Sequence, residues 1–191
     1  MGKNIMKKLF YLLIFTLIFF SCNSDQTGNF SSDVNIYGDK ISIVDPSKGV
    51  DSASGKISPK IDYKLDNKIS ITYPENSPTI LLFVAHWCPH CQEELPEVIK
   101  WIETEDIITK GVKIVLIVTG IDSTKQNYPP DEWLFNEQWK YPVIYDDNQN
   151  SIAEHFGVKY FPSWVFTEND GLIAFTHAGR IGIEELTQLI N

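Results

Sequence analysis

Cysteine and positive charge are both scarce in this chain, and each shortage narrows what it can do. Only three cysteines occur in 191 residues, Cys22, Cys88 and Cys91. One close pair and one outlier exclude a multi-disulfide scaffold. Sixteen basic residues face 25 acidic ones. Three of those cations, Lys3, Lys7 and Lys8, lie in the first 21 residues, which carry no acid. The remainder has a net charge of −12 and no basic stripe, a poor match for a phosphate backbone, so nucleic-acid binding is not expected. Internal repeats are absent. Histidine is limited to His86, His90, His155 and His177, with no second paired cluster to complete a zinc site around the cysteines.

Long apolar runs are missing as well. The longest, Leu9–Phe20, is broken only by Thr16. Twelve helical residues reach about 18 Å, short of the roughly 30 Å hydrocarbon core. Behind the basic start Met1–Lys8, this run reads as the apolar region of a signal peptide spanning residues 1–21. Ser21-Cys22 follows it, and these residues resemble a bacterial lipoprotein signal, in which the cysteine becomes the lipid-bearing first residue. Phe19 and Phe20 depart from that pattern, where an aliphatic residue usually stands three before the cysteine. Lipidation at Cys22, simple cleavage and an uncleaved anchor are the three outcomes; the first is the reading adopted.

What the chain does have is enough apolar sequence for one domain: 43% hydrophobic and 13% aromatic residues. Residues 22–60 are rich in Ser, Asp, Asn, Gly and Lys and read as a flexible tether, with a coil reach of about 30–35 Å. The folded domain is expected at 61–191. Ile69, Ile71 and Tyr73 alternate with polar residues as a half-buried strand does. Thr79–Ala85 is a continuous apolar run of buried-strand length, and Val112–Thr119 reads as a second buried strand rich in Val and Ile. Between them Cys91, Leu95, Val98, Ile99 and Ile102 fall at helical spacing. Pro130–Trp139 and Ser151–Phe156 read as short helices, the second stopped by Gly157, and Val143–Tyr145 as a short strand. Ser163–Thr167 and Leu172–His177 flank Asn169-Asp170-Gly171, a hairpin signal, and Ile183–Ile190 closes as an amphipathic helix. Alternating strands and helices that end in a hairpin and a helix predict an α/β fold, a central mixed sheet with helices on both faces.

The chemistry concentrates at Trp87-Cys88-Pro89-His90-Cys91. A Cys-x-x-Cys pair that follows a buried strand and opens a helix places Cys88 where unpaired backbone N–H groups and the helix dipole favour a thiolate. The thiolate attacks a substrate disulfide, and Cys91, one turn along the same face, resolves the mixed disulfide. Pro89 suits the first helical turn, and His90 can place positive charge beside the thiolate. An inert structural disulfide is the bland alternative. A three-residue spacing staples almost no chain, so the pair reads as chemistry.

Ala85-His86-Trp87-Cys88-Pro89-His90-Cys91 resembles the thioredoxin-superfamily signature. Its continuation Cys91-Gln92-Glu93-Glu94-Leu95-Pro96 is similar to the Cys-x-x-Glu-x-Pro pattern of TlpA/ResA-type exported thiol–disulfide oxidoreductases, themselves AhpC/TSA-related. Gly157–Ser163 resembles the second signature. The resemblance covers residues 61–191 and implies a thioredoxin-like three-layer sandwich. It implies a cis peptide bond at Pro162, substrate pairing along the Phe161 backbone, and a Glu94 carboxylate that tunes the cysteines. The residues alone equally allow Glu94 to be an acid favoured by the helix dipole. Leu82 stands where thioredoxin has a buried acid. His86 is expected as an exposed neighbour of the site or a source of positive potential. Trp133 and Trp139 are read as packing residues rather than a substrate platform, and His155, His177 and Arg180 as structural.

The function expected is exchange of the Cys88–Cys91 disulfide with cysteines of other exported proteins, without metal or organic cofactor. An unidentified membrane or soluble redox partner would complete the cycle, and the protein would work in the cell envelope on a lipid anchor. The direction of electron flow stays open. TlpA/ResA-type relatives are mostly reductants, whereas Pro89-His90 resembles DsbA-type oxidases, and the lean is toward an oxidising or isomerising potential. Two alternatives are a peroxiredoxin-type thiol peroxidase, which wants a hydroxyl where Ala85 stands, and a non-catalytic surface lipoprotein that keeps the fold for binding.

Overall fold

A computed structural model describes residues 32–42, 51–65 and 69–190. The expected signal peptide and Cys22 lie outside them. The core is a five-stranded sheet in the order β6-β5-β4-β7-β8. Its strands are β4 (Thr79–Val84), β5 (Lys113–Val118), β6 (Val143–Tyr145), β7 (Ser163–Thr167) and β8 (Ile173–Ala178). β4 runs parallel to β5 and antiparallel to β7. Being central, it is buried at every position, which is why Thr79–Val84 carries no polar alternation. The sheet is mixed, as expected.

Helices complete the sandwich. α1 (Pro89–Thr104) joins β4 to β5, α2 (Pro130–Asn136) and α3 (Ser151–His155) flank β6, and α4 (Ile183–Leu189) closes the described chain. α1 buries Leu95, Val98, Trp101 and Ile102, and the Trp101 indole N–H reaches Thr187 Oγ1 on α4 at 3.1 Å. Phe83 of β4 meets Phe156, just past α3, with ring centroids 5.3 Å apart. Trp133 and Trp139 are 4% and 9% exposed, so they pack inward, as read from sequence.

The region expected to be a flexible tether is different. A second, antiparallel sheet has the order β1-β2-β3, with β1 at Ser32–Tyr37, β2 at Lys60–Leu65 and β3 at Ile69–Tyr73. Val34 and Ile36 are half-buried while Asp33, Asn35 and Tyr37 face outward. That is a period-two strand pattern hidden in a polar context. Asp51 accepts the Thr176 backbone N–H at 2.7 Å and its hydroxyl at 2.9 Å. Ala53 is fully buried, and Ile57 bridges to Leu172. The folded unit therefore begins by Ser32 rather than at Ile61, because residues 32–42 and 51–60 fill sheet edges and cover the β7–β8 hairpin.

Gly157 records this docking. Its φ is +66°, and a Cβ there would lie 2.6 Å from the Ile41 carbonyl oxygen and 2.7 Å from Ser42 Cα. Ile41 itself is buried and donates its N–H to His155 O at 3.0 Å. Gly157→Ala is expected to cost about 2 kcal/mol or more, from the left-handed backbone alone plus displacement of residues 41–42. Denaturant unfolding checks this, and a loss no larger than the roughly 1 kcal/mol of the left-handed backbone would mean that the segment does not dock.

Candidate active site

β4 ends at Val84, and the next four residues turn sharply into α1. The turn is held by the Cys88 N–H, which donates to Ala85 O at 3.0 Å. Cys88 is the N-cap with extended backbone (φ −78°, ψ 119°), and Pro89 takes the first helical position, where a missing N–H costs nothing. The Cys88 carbonyl accepts the Cys91 and Gln92 N–H groups, each at 3.1 Å. One turn of helix thus places both thiols on one side. Cys88 is 7% exposed and Cys91 fully buried. Burial pushes the Cys91 thiol strongly up, and Cys88 and Glu94 push in the same direction. Cys91 is therefore a protonated, protected thiol, suited to act second.

Across from Cys88 lies the loop before β7. The Phe161–Pro162 peptide bond is cis, as the resemblance implies, and the Cys88 thiol reaches Phe161 O at 3.6 Å. Trp87 stands edge-on to the Phe161 ring, with centroids 6.1 Å apart. Its indole N–H donates to Gly120 O at 2.7 Å. Gly120 in turn donates its N–H to Asn150 Oδ1 at 2.8 Å, an oxygen also held by Thr119 Oγ1 at 3.1 Å. Trp87 is thereby clamped between the ends of two strands. Pro89 and His90 are exposed at the rim.

His86 departs from the expectation of an exposed residue. It is completely buried. Its Nδ1–H donates to Gln126 O at 2.7 Å, and its Nε2 accepts the Asp122 N–H at 3.2 Å. A carbonyl can only accept and a backbone N–H can only donate, so the ring is the neutral Nδ1–H tautomer. It supplies no positive potential. It anchors the loop 122–128, which also sends Asn127 Nδ2 to His86 O at 3.1 Å and Gln126 Nε2 to Trp87 O at 3.3 Å.

Glu94 sits one turn past Cys91 and is 1% exposed. Its Oε1 accepts the Ile181 N–H at 2.9 Å and its Oε2 accepts Arg180 Nε at 2.8 Å. Burial raises its pKa, opposed by those two donors. Arg180, expected to be merely structural, is thus joined to the carboxylate behind the cysteines, 86 residues away in sequence. No local pattern could have shown that pairing, nor that of Asn150 with Gly120. Pro96 lies inside α1 and is exposed. Its missing N–H leaves one turn of the helix without a backbone bond.

Among the described residues, no group of three or more His, Cys, Asp or Glu side chains could hold a metal ion. Ala85, three before Cys88, presents only a methyl group, and its carbonyl is taken by the Cys88 N–H. The hydroxyl that a peroxide-binding cysteine wants is not there.

This arrangement can do thiol exchange: one thiol at a helix start, a second behind it, and a backbone carbonyl opposite. Residues 54–176 match the AhpC/TSA family. The chain belongs to that family. Over 118 residues it is 25% identical to the thiol:disulfide interchange protein DsbE of Haemophilus influenzae, a match spanning 62% of this chain and 60% of that protein. The aligned part is thus less than two thirds of that relative's length. StoA from Bacillus subtilis superposes with a TM-score of 0.54 at 21% identity, over 64% of this chain and 90% of that one. MTB DsbF superposes with a TM-score of 0.51 at 27% identity, over 61% and 80%. The fold is thioredoxin-like.

Proposed function

We propose that this protein is an exported thiol–disulfide oxidoreductase that exchanges a Cys88–Cys91 disulfide with cysteines of other cell-envelope proteins. The observation that carries the reading is the placement of Cys88 at the start of α1, 3.6 Å from Phe161 O beside the cis-Pro162 loop, with Cys91 buried one turn behind. An extended substrate segment pairs with the Phe161 backbone as an added strand. The Cys88 thiolate attacks one sulfur of the substrate disulfide, forming a mixed disulfide and releasing the other sulfur as a thiolate. Cys91 then gives up its proton and attacks Cys88 Sγ. The Cys88–Cys91 bond forms, the bond to substrate breaks, and two electrons have passed to the substrate. Run backwards, the same steps oxidise a substrate dithiol. No metal or organic cofactor takes part in either direction.

Export and lipid attachment at Cys22 rest on the N-terminal sequence. No helix among the described residues is long and apolar enough to cross a membrane. In this reading the lipid is the anchor, and a membrane or soluble thiol partner restores the working redox state.

Direction follows from the reduction potential. His90 is exposed at the rim, two residues past Cys88, where positive charge would stabilise the reduced form and make the disulfide more oxidising. Equilibration of the full chain in glutathione buffers is expected to give a potential clearly above the roughly −270 mV of thioredoxin. A value at or below that figure would overturn the oxidising lean and make the pair a reductant. Failure of the pair both to reduce insulin and to oxidise a reduced test protein would end the oxidoreductase reading altogether.

A further inference from the structure

Resolution of the mixed disulfide requires Cys91 to lose a proton in a place where water does not reach it. Leu82, on the neighbouring strand, offers no acid–base group. Burial dominates the Cys91 thiol, and Glu94, buried one turn along α1, adds a smaller push in the same direction, so the charge of Glu94 bears on the reaction. Two opposing influences set that charge. Burial favours the neutral acid. Against it stand the Ile181 N–H on Oε1 and the Arg180 Nε on Oε2, both from the loop between β8 and α4.

Arg180 is itself fixed on several sides. Its two terminal nitrogens reach Glu93 Oε2 at 2.9 Å and Glu97 Oε2 at 3.1 Å, so the guanidinium spans the face of α1 from Glu93 to Glu97. Its backbone carbonyl lies 3.2 Å from His177 Nε2 at the end of β8. The groups facing Glu94 are therefore Arg180 and the Ile181 N–H from the loop, with Cys91, Glu93 and Glu97 on its own helix. Arg180 is the one cation among them.

We propose that Arg180 is a positioning residue for thiol exchange: it pins the Glu94 carboxylate in its ionised form against the β8–α4 loop, and so fixes the charge that Cys91 meets when it deprotonates. The inference rests on the thiol-exchange reading of Cys88 and Cys91. Without Arg180, burial together with Glu97 drives Glu94 toward the neutral acid at working pH. Glu94 then titrates within the range in which the enzyme operates, and the rate of the resolving step acquires its ionisation.

The test is the pH profile of thiol release from a mixed disulfide formed at Cys88 with a small aromatic disulfide, in the full chain. For the natural chain, a single rise from thiol ionisation is expected above neutrality. Arg180→Met is expected to add a second inflection, absent from the natural profile, from the ionisation of a Glu94 that has lost its cation. In Arg180→Met/Glu94→Gln that inflection is expected to vanish, and Arg180→Lys is expected to keep the natural profile. A purely structural Arg180 would slow all pH values alike, and an unchanged or Glu94-independent profile overturns the proposal. If the methionine variant does not fold, infrared difference spectra between the natural chain and Glu94→Gln decide the matter. A protonated Glu94 carboxyl band at pH 7.5 refutes it, and its absence there with appearance in acid supports it. Absence of any thiol release by the natural chain would sink the oxidoreductase reading instead, while the infrared arm would still report the ionisation of Glu94.

Discussion

With Cys91 changed to serine, the protein is expected to complete the first exchange and stop there. Substrate remains attached through Cys88, because the hydroxyl cannot displace it. Covalent adducts should accumulate to a large fraction of the protein and disappear on adding dithiothreitol, which non-reducing electrophoresis reads directly. Multiple turnover should fall by at least about 100-fold, the scale on which loss of a catalytic group acts. Cys88→Ser should remove both turnover and adducts, since Cys91 is fully buried and held as the thiol. Adducts that form through Cys91 in the Cys88 variant would contradict the order of events assigned to the two sulfurs. Their absence in both variants would leave the fold with a binding role only.

The second large effect concerns where the domain begins. A chain that starts at Ile61 is expected to be less stable than one that starts at Ser32 by about 5 kcal/mol or more. The shorter chain loses the β1–β2 ladder. It also loses the bonds from Gly55 N to Ile173 O, Ser58 N to Gly171 O, Ile173 N to Lys56 O and Ile41 N to His155 O, with both bonds from Thr176 to Asp51. Each hydrogen bond contributes about 1 kcal/mol net, and a domain of this size has only about 5–15 kcal/mol in total. Urea unfolding of the two chains measures the difference directly. Equal midpoints would restore the tether reading of residues 32–60.

Some of this protein was legible one residue at a time. Thr79–Ala85 and Val112–Thr119 announced buried central strands because both faces of each are covered, which leaves a run made almost wholly of apolar residues. Asn169-Asp170-Gly171 marked the β7–β8 hairpin through its need for a turn, and Gly171 does have a positive φ of 81°. The pair Cys88 and Cys91 was legible because helix geometry alone puts i and i+3 on one side, and a strand–helix junction supplies the N-terminus. These are local facts, and local spacing fixes them.

What needed the tertiary structure depends on contacts between distant parts of the chain. Val34 and Ile36 alternate as a strand does, yet among so many polar neighbours that signal became meaningful only once Lys60–Leu65 lay alongside to pair with it. His86 looked like an exposed flank of the motif; burial and two backbone partners from residues 122–126 made it a neutral anchor. Arg180 looked structural until the β8–α4 loop brought it 2.8 Å from Glu94. The sequence by itself determined the spacing of Cys88 and Cys91 at a strand–helix junction and the succession of strands and helices, since both follow from periodicity and spacing along the chain. Only the tertiary structure decided which charges surround those sulfurs, because protonation and electrostatic environment are set by burial and by partners that arrive from elsewhere in the fold.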